Sequence, residues 1–182
     1  LSLDPSSILQ TGLGFWPSKV LLSAVELELF TKLGKKALTG DELGNELKLH
    51  PRAIWDFLDA LVALGFLDRE GNGKAGVYRN NQQSMAFLDK ASPAYIGGIL
   101  EMANARLYRF WGDLTTGLRT GMPQNETKFN EEPIFATLYK DPVKLEQFMG
   151  AMAGISAGNF RAFTSKFDFS PYKMLCDVGG AT

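Results

Sequence analysis

Apolar residues recur at helical spacing through the first part of the chain. From Val20 to Leu33 they return every three or four positions, the pattern of a helix with one buried face. Pro17 precedes this stripe, and proline suits the first turn of a helix because it has no N–H group to leave unpaired. Residues 8–15 form a second apolar segment. We therefore predict that the chain opens with helices.

Two further helices and a hairpin are predicted next. Thr39 followed by Glu42 fits a capping box at the start of a short helix. Pro51 starts another helix that is predicted to run to Leu64. The Asn-Gly pair at residues 72–73 lies between apolar runs and predicts a hairpin turn. Helix, turn, helix and hairpin is the order of a winged helix.

The second half of the chain is predicted to be helical until its last residues. Ser92 caps a long helix predicted to reach Arg119, and Asp141 opens another that could run to residue 167. Residues 173–178 then predict a buried strand, followed at once by Gly179 and Gly180. Glycines let a backbone turn sharply and approach a ligand closely. By itself the motif fits the start of a nucleotide-binding fold and an ordinary tight turn equally well.

Composition and charge exclude several kinds of site. Apolar residues make up 45% of the 182-residue chain and charged residues 21%, which is typical of a globular protein. The net charge of −1 gives no general attraction to nucleic acid or to acidic membranes. Cys176 and His50 are the only residues of their types, so we expect no metal site and no disulfide. His50 precedes a proline and is predicted to be a surface or capping residue.

Targeting signals are also missing from the pattern. No apolar run is long enough for a membrane helix, and the first residues lack the basic region and apolar core of a secretory signal. With one thiol, a reducing compartment is the default expectation. We therefore expect a cytoplasmic protein that contacts neither membrane nor nucleic acid.

Eight segments together carry a family resemblance, through their order and spacing more than through any one motif. They are residues 14–30, 38–43, 58–67, 95–98, 111–114, 118–121, 148–152 and 175–180. In this order they resemble the plant-type and bacterial S-adenosylmethionine-dependent O-methyltransferases, a family that includes acetylserotonin, caffeate and polyketide O-methyltransferases. The resemblance covers nearly the whole chain. One minor departure is Ala181, where many members have a third glycine.

The resemblance implies a mainly α fold with a winged-helix dimerisation domain in residues 1–92. Long additional helices in residues 93–169 would link the domains and cover the substrate. Residues 170–182 would hold the first strand of a truncated Rossmann-like methyltransferase domain that binds S-adenosylmethionine. The acidic residue for the cofactor ribose and the catalytic histidine would lie beyond Thr182. We therefore expect no catalytic residue in this chain, and no activity from it alone.

The resemblance also implies roles for individual residues. Cofactor-binding candidates are Asp177, Gly179 and Gly180. Substrate-pocket candidates are Met102, Phe110, Trp111, Phe148, Met149, Met152, Ile155 and Asn159, of which Asn159 would offer a polar contact. Dimer-interface candidates are Ile8, Leu9, Phe15, Trp16, Leu21 and Val25. Methionine and phenylalanine at helical spacing are also the ordinary pattern of a core.

Three functions stay open at this point. The resemblance implies a homodimeric enzyme that passes a methyl group to a hydroxyl, usually phenolic, of a small molecule, after a base removes the proton. The alternative is a winged-helix transcription regulator that responds to a small molecule. DNA reading needs a basic surface, whereas residues 39–81 carry seven acidic and five basic residues. A dimerisation module without a ligand is the third possibility.

Overall fold

The chain divides into two compact units, residues 1–95 and residues 96–182. A computed structural model describes residues 3–128 and 133–178. Both units are mainly helical, as predicted, and the sheet found among the described residues has three strands.

Helices of the N-terminal unit form where the local signals place them. Thr39 and Glu42 make the predicted capping box, in which the Glu42 carboxylate accepts the Thr39 N–H at 2.8 Å. The elements are α1 (Ser6–Gly12), α2 (Phe15–Glu26), α3 (Leu29–Leu33), β1 (Leu38–Thr39), α4 (Gly40–Glu46), α5 (Pro51–Ala63), β2 (Leu67–Glu70), β3 (Val77–Asn80) and α6 (Gln82–Phe87). The opening helices and the helix that starts at Pro51 are therefore confirmed.

The three strands are antiparallel in the order β1–β3–β2, with Leu38 opposite Tyr78 and Glu70 opposite Val77. The predicted hairpin is confirmed, and residues 72–73 lie in its loop, which runs over residues 71–76 and contains a 3-10 turn. Arg69 explains this geometry. Its Nη2 donates to the Gly73 carbonyl at 2.9 Å, so the loop wraps around the guanidinium.

A single apolar core holds the N-terminal unit together. Asn80 is buried beside it, and its Nδ2 donates to the carbonyls of Phe30 at 2.7 Å and Gly34 at 3.0 Å, which satisfies the end of α3. The buried apolar side chains include Leu22, Val25, Leu29, Phe30, Leu33, Leu43, Leu47, Ile54, Leu58, Leu61, Leu67 and Tyr78.

A polar network joins α5 to both strands of the hairpin. Arg69 Nη1 donates to the two carboxylate oxygens of Asp59 at 2.9 and 3.0 Å, and the Tyr78 hydroxyl donates to Asp59 Oδ1 at 2.7 Å. The guanidinium of Arg69 also lies 5.3 Å from the centre of the Tyr78 ring. Desolvation and the hydrogen bond to Asp59 raise the pKa of Tyr78 to about 12.

The C-terminal unit contains α7 (Gly97–Met102), a π-helical turn (Ala103–Leu107), α8 (Tyr108–Trp111), α9 (Leu114–Thr120), α10 (Ile134–Tyr139) and α11 (Pro142–Lys166). Asp141 caps α11 as predicted, since its Oδ1 accepts the N–H groups of Val143 and Lys144 at 3.2 Å. The predicted long helix starts only at Gly97, because Ser92 is held in a turn where its hydroxyl donates to the Ala86 carbonyl.

Small residues let α7 and α11 approach closely. A Cβ atom built on Gly98 would lie 3.2 Å from the backbone C and O atoms of Gly150. Ala151 is completely buried next to this crossing. Met102 and Leu138 are the other buried apolar side chains among the residues of this unit that the structure describes.

The predicted buried strand at residues 173–178 is wrong. This segment is irregular, with Leu175 81% exposed and Val178 91% exposed. A strand needs a neighbour that accepts and donates backbone hydrogen bonds, and no described residue pairs with this segment. Residues 179–182 lie outside the described range.

Candidate dimerisation surface and aromatic cavity

Large apolar side chains are exposed along α1 and the start of α2. We call this set the α1–α2 surface: Ile8, Leu9, Leu13, Phe15 and Trp16. Ile8 is 74% and Trp16 60% exposed, and α1 has no buried residue at all. A helix of seven residues is marginal without packing, and contiguous exposed apolar residues mark an interaction site. The α1–α2 surface therefore has the character of an interface.

A groove of about 520 Å³ extends this surface between α2 and α5. Trp16 forms one wall, and residues from α5 and the turn before it form the other. The lining residues are Trp16, Lys19, Val20, Ser23, Leu27, Leu49, Ala53 and Phe57. Sequence reasoning missed Leu49 and Phe57, because helical spacing within α2 carries no information about which face of α5 lies beside it.

The interface candidates divide into two groups in the structure. Ile8, Leu9, Phe15 and Trp16 are exposed together, and Leu21 is half-buried. Val25 is only 4% exposed, so its own unit already covers most of the side chain that was predicted to lie in the interface. The reason is helical geometry. Val25 lies three positions after Leu22 on the face of α2 that packs into the core.

An open cavity of about 280 Å³ lies beside α8 and α9. We call it the aromatic cavity, and it is lined by Leu107, Phe110, Trp111, Leu114, Gly117, Gln124 and Asn125. Phe110 and Trp111 are two of the eight substrate-pocket candidates. Sequence reasoning missed Gln124 and Asn125, which come from a polar loop rather than from the apolar helical pattern.

The other six pocket candidates are not among the lining residues of this cavity. Met102 is buried in the core of its unit, and the Phe148 ring meets Phe135 edge to face with centroids 6.3 Å apart. Met149 and Met152 are half-buried on α11, while Ile155 and Asn159 are exposed.

A polar cavity of about 480 Å³ shares Phe110 and Asn125 with the aromatic cavity. Its lining residues are Arg109, Phe110, Asp113, Asn125, Glu126 and Lys144. Three of these side chains already have ionic partners, one of which is Lys144 with Asp141 at 3.3 Å. Arg106 donates to Glu126, and Lys128 donates to Asp113 at 3.1 Å. Hydrogen bonds from Arg106 hold the pKa of Glu126 below its ordinary value.

The end of α11 carries an exposed aromatic cluster. Phe163, Phe167, Phe169 and Tyr172 contact one another, with the rings of Phe167 and Phe169 centred 4.7 Å apart. These rings and residues 173–176 line a depression of about 660 Å³. The cluster is a second apolar surface that this chain leaves uncovered.

Of the three cofactor-binding candidates, the structure describes Asp177. Asp177 is exposed in the irregular segment. Gly179 and Gly180 lie outside the described residues. Within residues 3–128 and 133–178 no group of His, Cys, Asp and Glu could hold a metal ion. His50 caps α5, as predicted, and its Nδ1 accepts the Arg52 N–H at 3.3 Å.

None of the described helices combines the length and the apolar character needed to cross a membrane.

Residues 9–90 match a family model described as the O-methyltransferase dimerisation domain. The match covers nearly all of the N-terminal unit, including the α1–α2 surface from Leu9 onward. Residues 9–90 are thus similar to an O-methyltransferase dimerisation domain. The predicted resemblance is thereby confirmed.

Curated relatives of the domain extend the similarity to the rest of the chain. The tetracenomycin polyketide synthesis 8-O-methyl transferase TcmO of Streptomyces glaucescens is 40% identical over 177 residues, which are 97% of this chain and 50% of that protein. The N,N-dimethyltransferase OxyT of Streptomyces rimosus is 33% identical over 96% of the chain and 50% of its own length. The chain thus spans about half the length of the curated relatives it matches.

A solved structure agrees with this similarity. The human N-acetylserotonin methyltransferase in complex with S-adenosylmethionine superposes with a TM-score of 0.80 at 27% identity, over 93% of this chain and 51% of that one. An alignment over 93% of this chain includes residues of both compact units.

Proposed function

We propose that this chain is the N-terminal, dimerising and substrate-covering half of an S-adenosylmethionine-dependent methyltransferase. The enzyme would transfer a methyl group to a hydroxyl of a small aromatic molecule. The observation that carries the proposal is a dimerisation domain at residues 9–90 inside a chain of which 97% aligns with half of a methyltransferase.

Homodimer formation is assigned to the α1–α2 surface and the groove beside it. A second copy would cover Ile8, Leu9, Phe15 and Trp16, which the single chain leaves exposed. Aromatic residues are enriched at the centres of such interfaces, and a twofold interface uses the same patch on both copies. The groove beside Trp16 adds apolar area on the α5 side.

The order α4, α5, hairpin supports a winged helix that serves assembly rather than DNA binding. Asp56 is exposed on α5, and the Asp59 carboxylate on the same helix already accepts hydrogen bonds from Arg69 and Tyr78. An acidic helix would repel the phosphates that a recognition helix must approach. The methyltransferase similarity favours the enzyme over the transcription regulator.

Substrate contact is assigned to the C-terminal unit. Phe110 and Trp111 would pack against an aromatic ring, and the adaptable methionines Met102, Met149 and Met152, with Phe148, Ile155 and Asn159, would complete the pocket in the whole enzyme. S-adenosylmethionine would supply the methyl group, held in part by Asp177, Gly179 and Gly180. The exposed aromatic cluster at the end of α11 would pack against the cofactor-binding half.

Methyl transfer is tested with the protein that joins this chain to such a cofactor-binding half. It is incubated with S-adenosylmethionine labelled in the methyl group and a panel of phenols, with the matching aromatic amines as a second panel. We expect label on the phenols and none when residues 1–182 are used alone. Label on amines only would replace the hydroxyl acceptor with nitrogen, and label on neither panel would overturn the proposal.

A further inference from the structure

Arg109 lines the polar cavity of the C-terminal unit, next to Phe110, which both cavities share. Its guanidinium carbon is 4.6 Å from the centre of the Phe110 ring, so the planar group rests on the aromatic face. Phe110 lines the aromatic cavity and the polar cavity, and Arg109 lines the polar one. Stacking on a ring limits the motion of an exposed arginine and holds its N–H groups ready for a ligand.

Most of the charged side chains that line the polar cavity are already in salt bridges. In the polar cavity, Glu126 is paired with Arg106, Asp113 with Lys128 and Lys144 with Asp141. Arg109 has no ion pair with a residue in the described parts of the chain. Among the described residues that line this cavity, Arg109 is therefore the charged side chain without a salt-bridge partner, although its charge also helps to lower the pKa of Glu126.

Asn125 places a neutral donor on the same shared wall. Its Oδ1 accepts the Thr127 N–H at 2.9 Å and the Thr127 hydroxyl at 2.7 Å. Because the Thr127 N–H can only donate, this bond fixes which end of the Asn125 amide is the oxygen. The Nδ2 group points away from Thr127, and Asn125 lines both cavities.

We propose that the two cavities form one binding site for an aromatic carboxylate. The ring enters the aromatic cavity against Phe110 and Trp111, and the carboxylate accepts hydrogen bonds from the Arg109 fork and from Asn125 Nδ2. A fork of N–H groups matches a carboxylate in geometry and charge. The volume of about 280 Å³ is close to the lower limit of ordinary small-molecule sites and admits one or two fused rings. The inference rests on the proposed function in taking this ligand to be the methyl acceptor.

Binding is measured by titration calorimetry on the 182-residue chain with two probes of equal shape, 2-naphthoate and the neutral 2-naphthamide. We expect 2-naphthoate to bind at least ~10-fold more tightly, since hydrogen bonds to a charged group contribute ~1.5–3 kcal/mol. Arg109→Met keeps an apolar chain over Phe110 and should abolish this preference without weakening the amide. Arg119→Met removes an exposed arginine of α9 that lines neither cavity and should change nothing.

Three results would overturn the carboxylate site. The two probes could bind with equal affinity, 2-naphthoate could bind to Arg109→Met as tightly as to the native chain, or neither probe could bind. Circular dichroism confirms that each variant keeps its helices. Because these titrations need neither cofactor nor turnover, they fail or succeed separately from the methyl-transfer assay.

Discussion

Arg106 and Glu126 form a nearly buried ion pair across twenty residues of chain, with Nε to Oε1 at 2.5 Å and Nη2 to Oε2 at 2.7 Å. Their side chains are 9% and 12% exposed. The pair fastens the polar loop that carries Asn125 to the π-helical turn. A single bidentate contact thus positions a shared wall of both cavities.

Removing the acid of this pair leaves a buried charge without compensation. We expect Glu126→Ala to lower the free energy of unfolding by about 3–5 kcal/mol, the usual cost of breaking a buried pair. Glu70→Ala is the matched control, since Glu70 and Arg79 are exposed and such a pair contributes at most ~1 kcal/mol. Urea unfolding followed by circular dichroism measures the free energy of unfolding of both variants. Equal decreases in the two variants would show that the ion pair of Arg106 and Glu126 contributes no more than an exposed pair.

Tyr78 predicts a loss of stability at alkaline pH. Desolvation and the Asp59 hydrogen bond raise the pKa of its hydroxyl from 10.0 to about 12, so the folded protein holds this proton more tightly than the unfolded chain. The resulting stabilisation is complete below pH 10 and is lost as the pH rises towards 12.

Urea unfolding of the native chain and of Tyr78→Phe across this pH range tests the prediction. The native chain should lose more stability than the variant between pH 10 and 12. Parallel losses in both proteins would show that Tyr78 titrates normally.

Gly98 and Gly150 form a matched pair at the crossing of α7 and α11. An alanine methyl at residue 98 would lie 3.2 Å from the Gly150 backbone, whereas one at residue 150 meets nothing within 4 Å. We expect Gly98→Ala to cost about 1–3 kcal/mol, because backbone cannot move aside. Gly150→Ala should be neutral or stabilise by roughly 0.5–1 kcal/mol through helix propensity. Thermal unfolding of the two variants measures these effects. A shift of the midpoint temperature in the same direction for both variants would contradict the close packing of α7 and α11.

Local signals in the sequence predicted the parts of the fold that depend on neighbouring residues. Thr39 caps α4 and Asp141 caps α11 because each bond spans only two or three positions. Tertiary contacts determine the features of the fold that these local signals did not predict. Ser92 turns back to Ala86 instead of starting a helix, and Arg69 donates to Gly73 in a hairpin loop whose length the Asn-Gly pair did not reveal.

The candidate site was predictable to a similar degree. Phe110 and Trp111 were found because they lie on an apolar helical face, and Trp16 because an aromatic precedes a helix rich in apolar residues. Arg109 and Asn125 gave no periodic signal, since their importance comes from the loop that folds back over α8 and α9. Val25 belongs to the same kind of apolar stripe but is buried within its own unit, and such a stripe does not reveal whether core or partner covers a residue.

Trp16 is expected to be central to the interface. Trp16→Glu places a charge in the α1–α2 surface and should weaken self-association by roughly 30-fold, the effect of losing about 2 kcal/mol at an interface hot spot. Trp111→Glu is the control, because Trp111 is at least as exposed as Trp16 but lies in the C-terminal unit. Sedimentation velocity over a dilution series compares the two variants, and equal weakening by both would remove the α1–α2 surface from the interface.

Sedimentation equilibrium of residues 1–182 tests the dimerisation role most directly. The chain has a mass of 20.0 kDa, and we expect a species of twice that mass that dissociates only on dilution. A mass of 20.0 kDa at every concentration would contradict it.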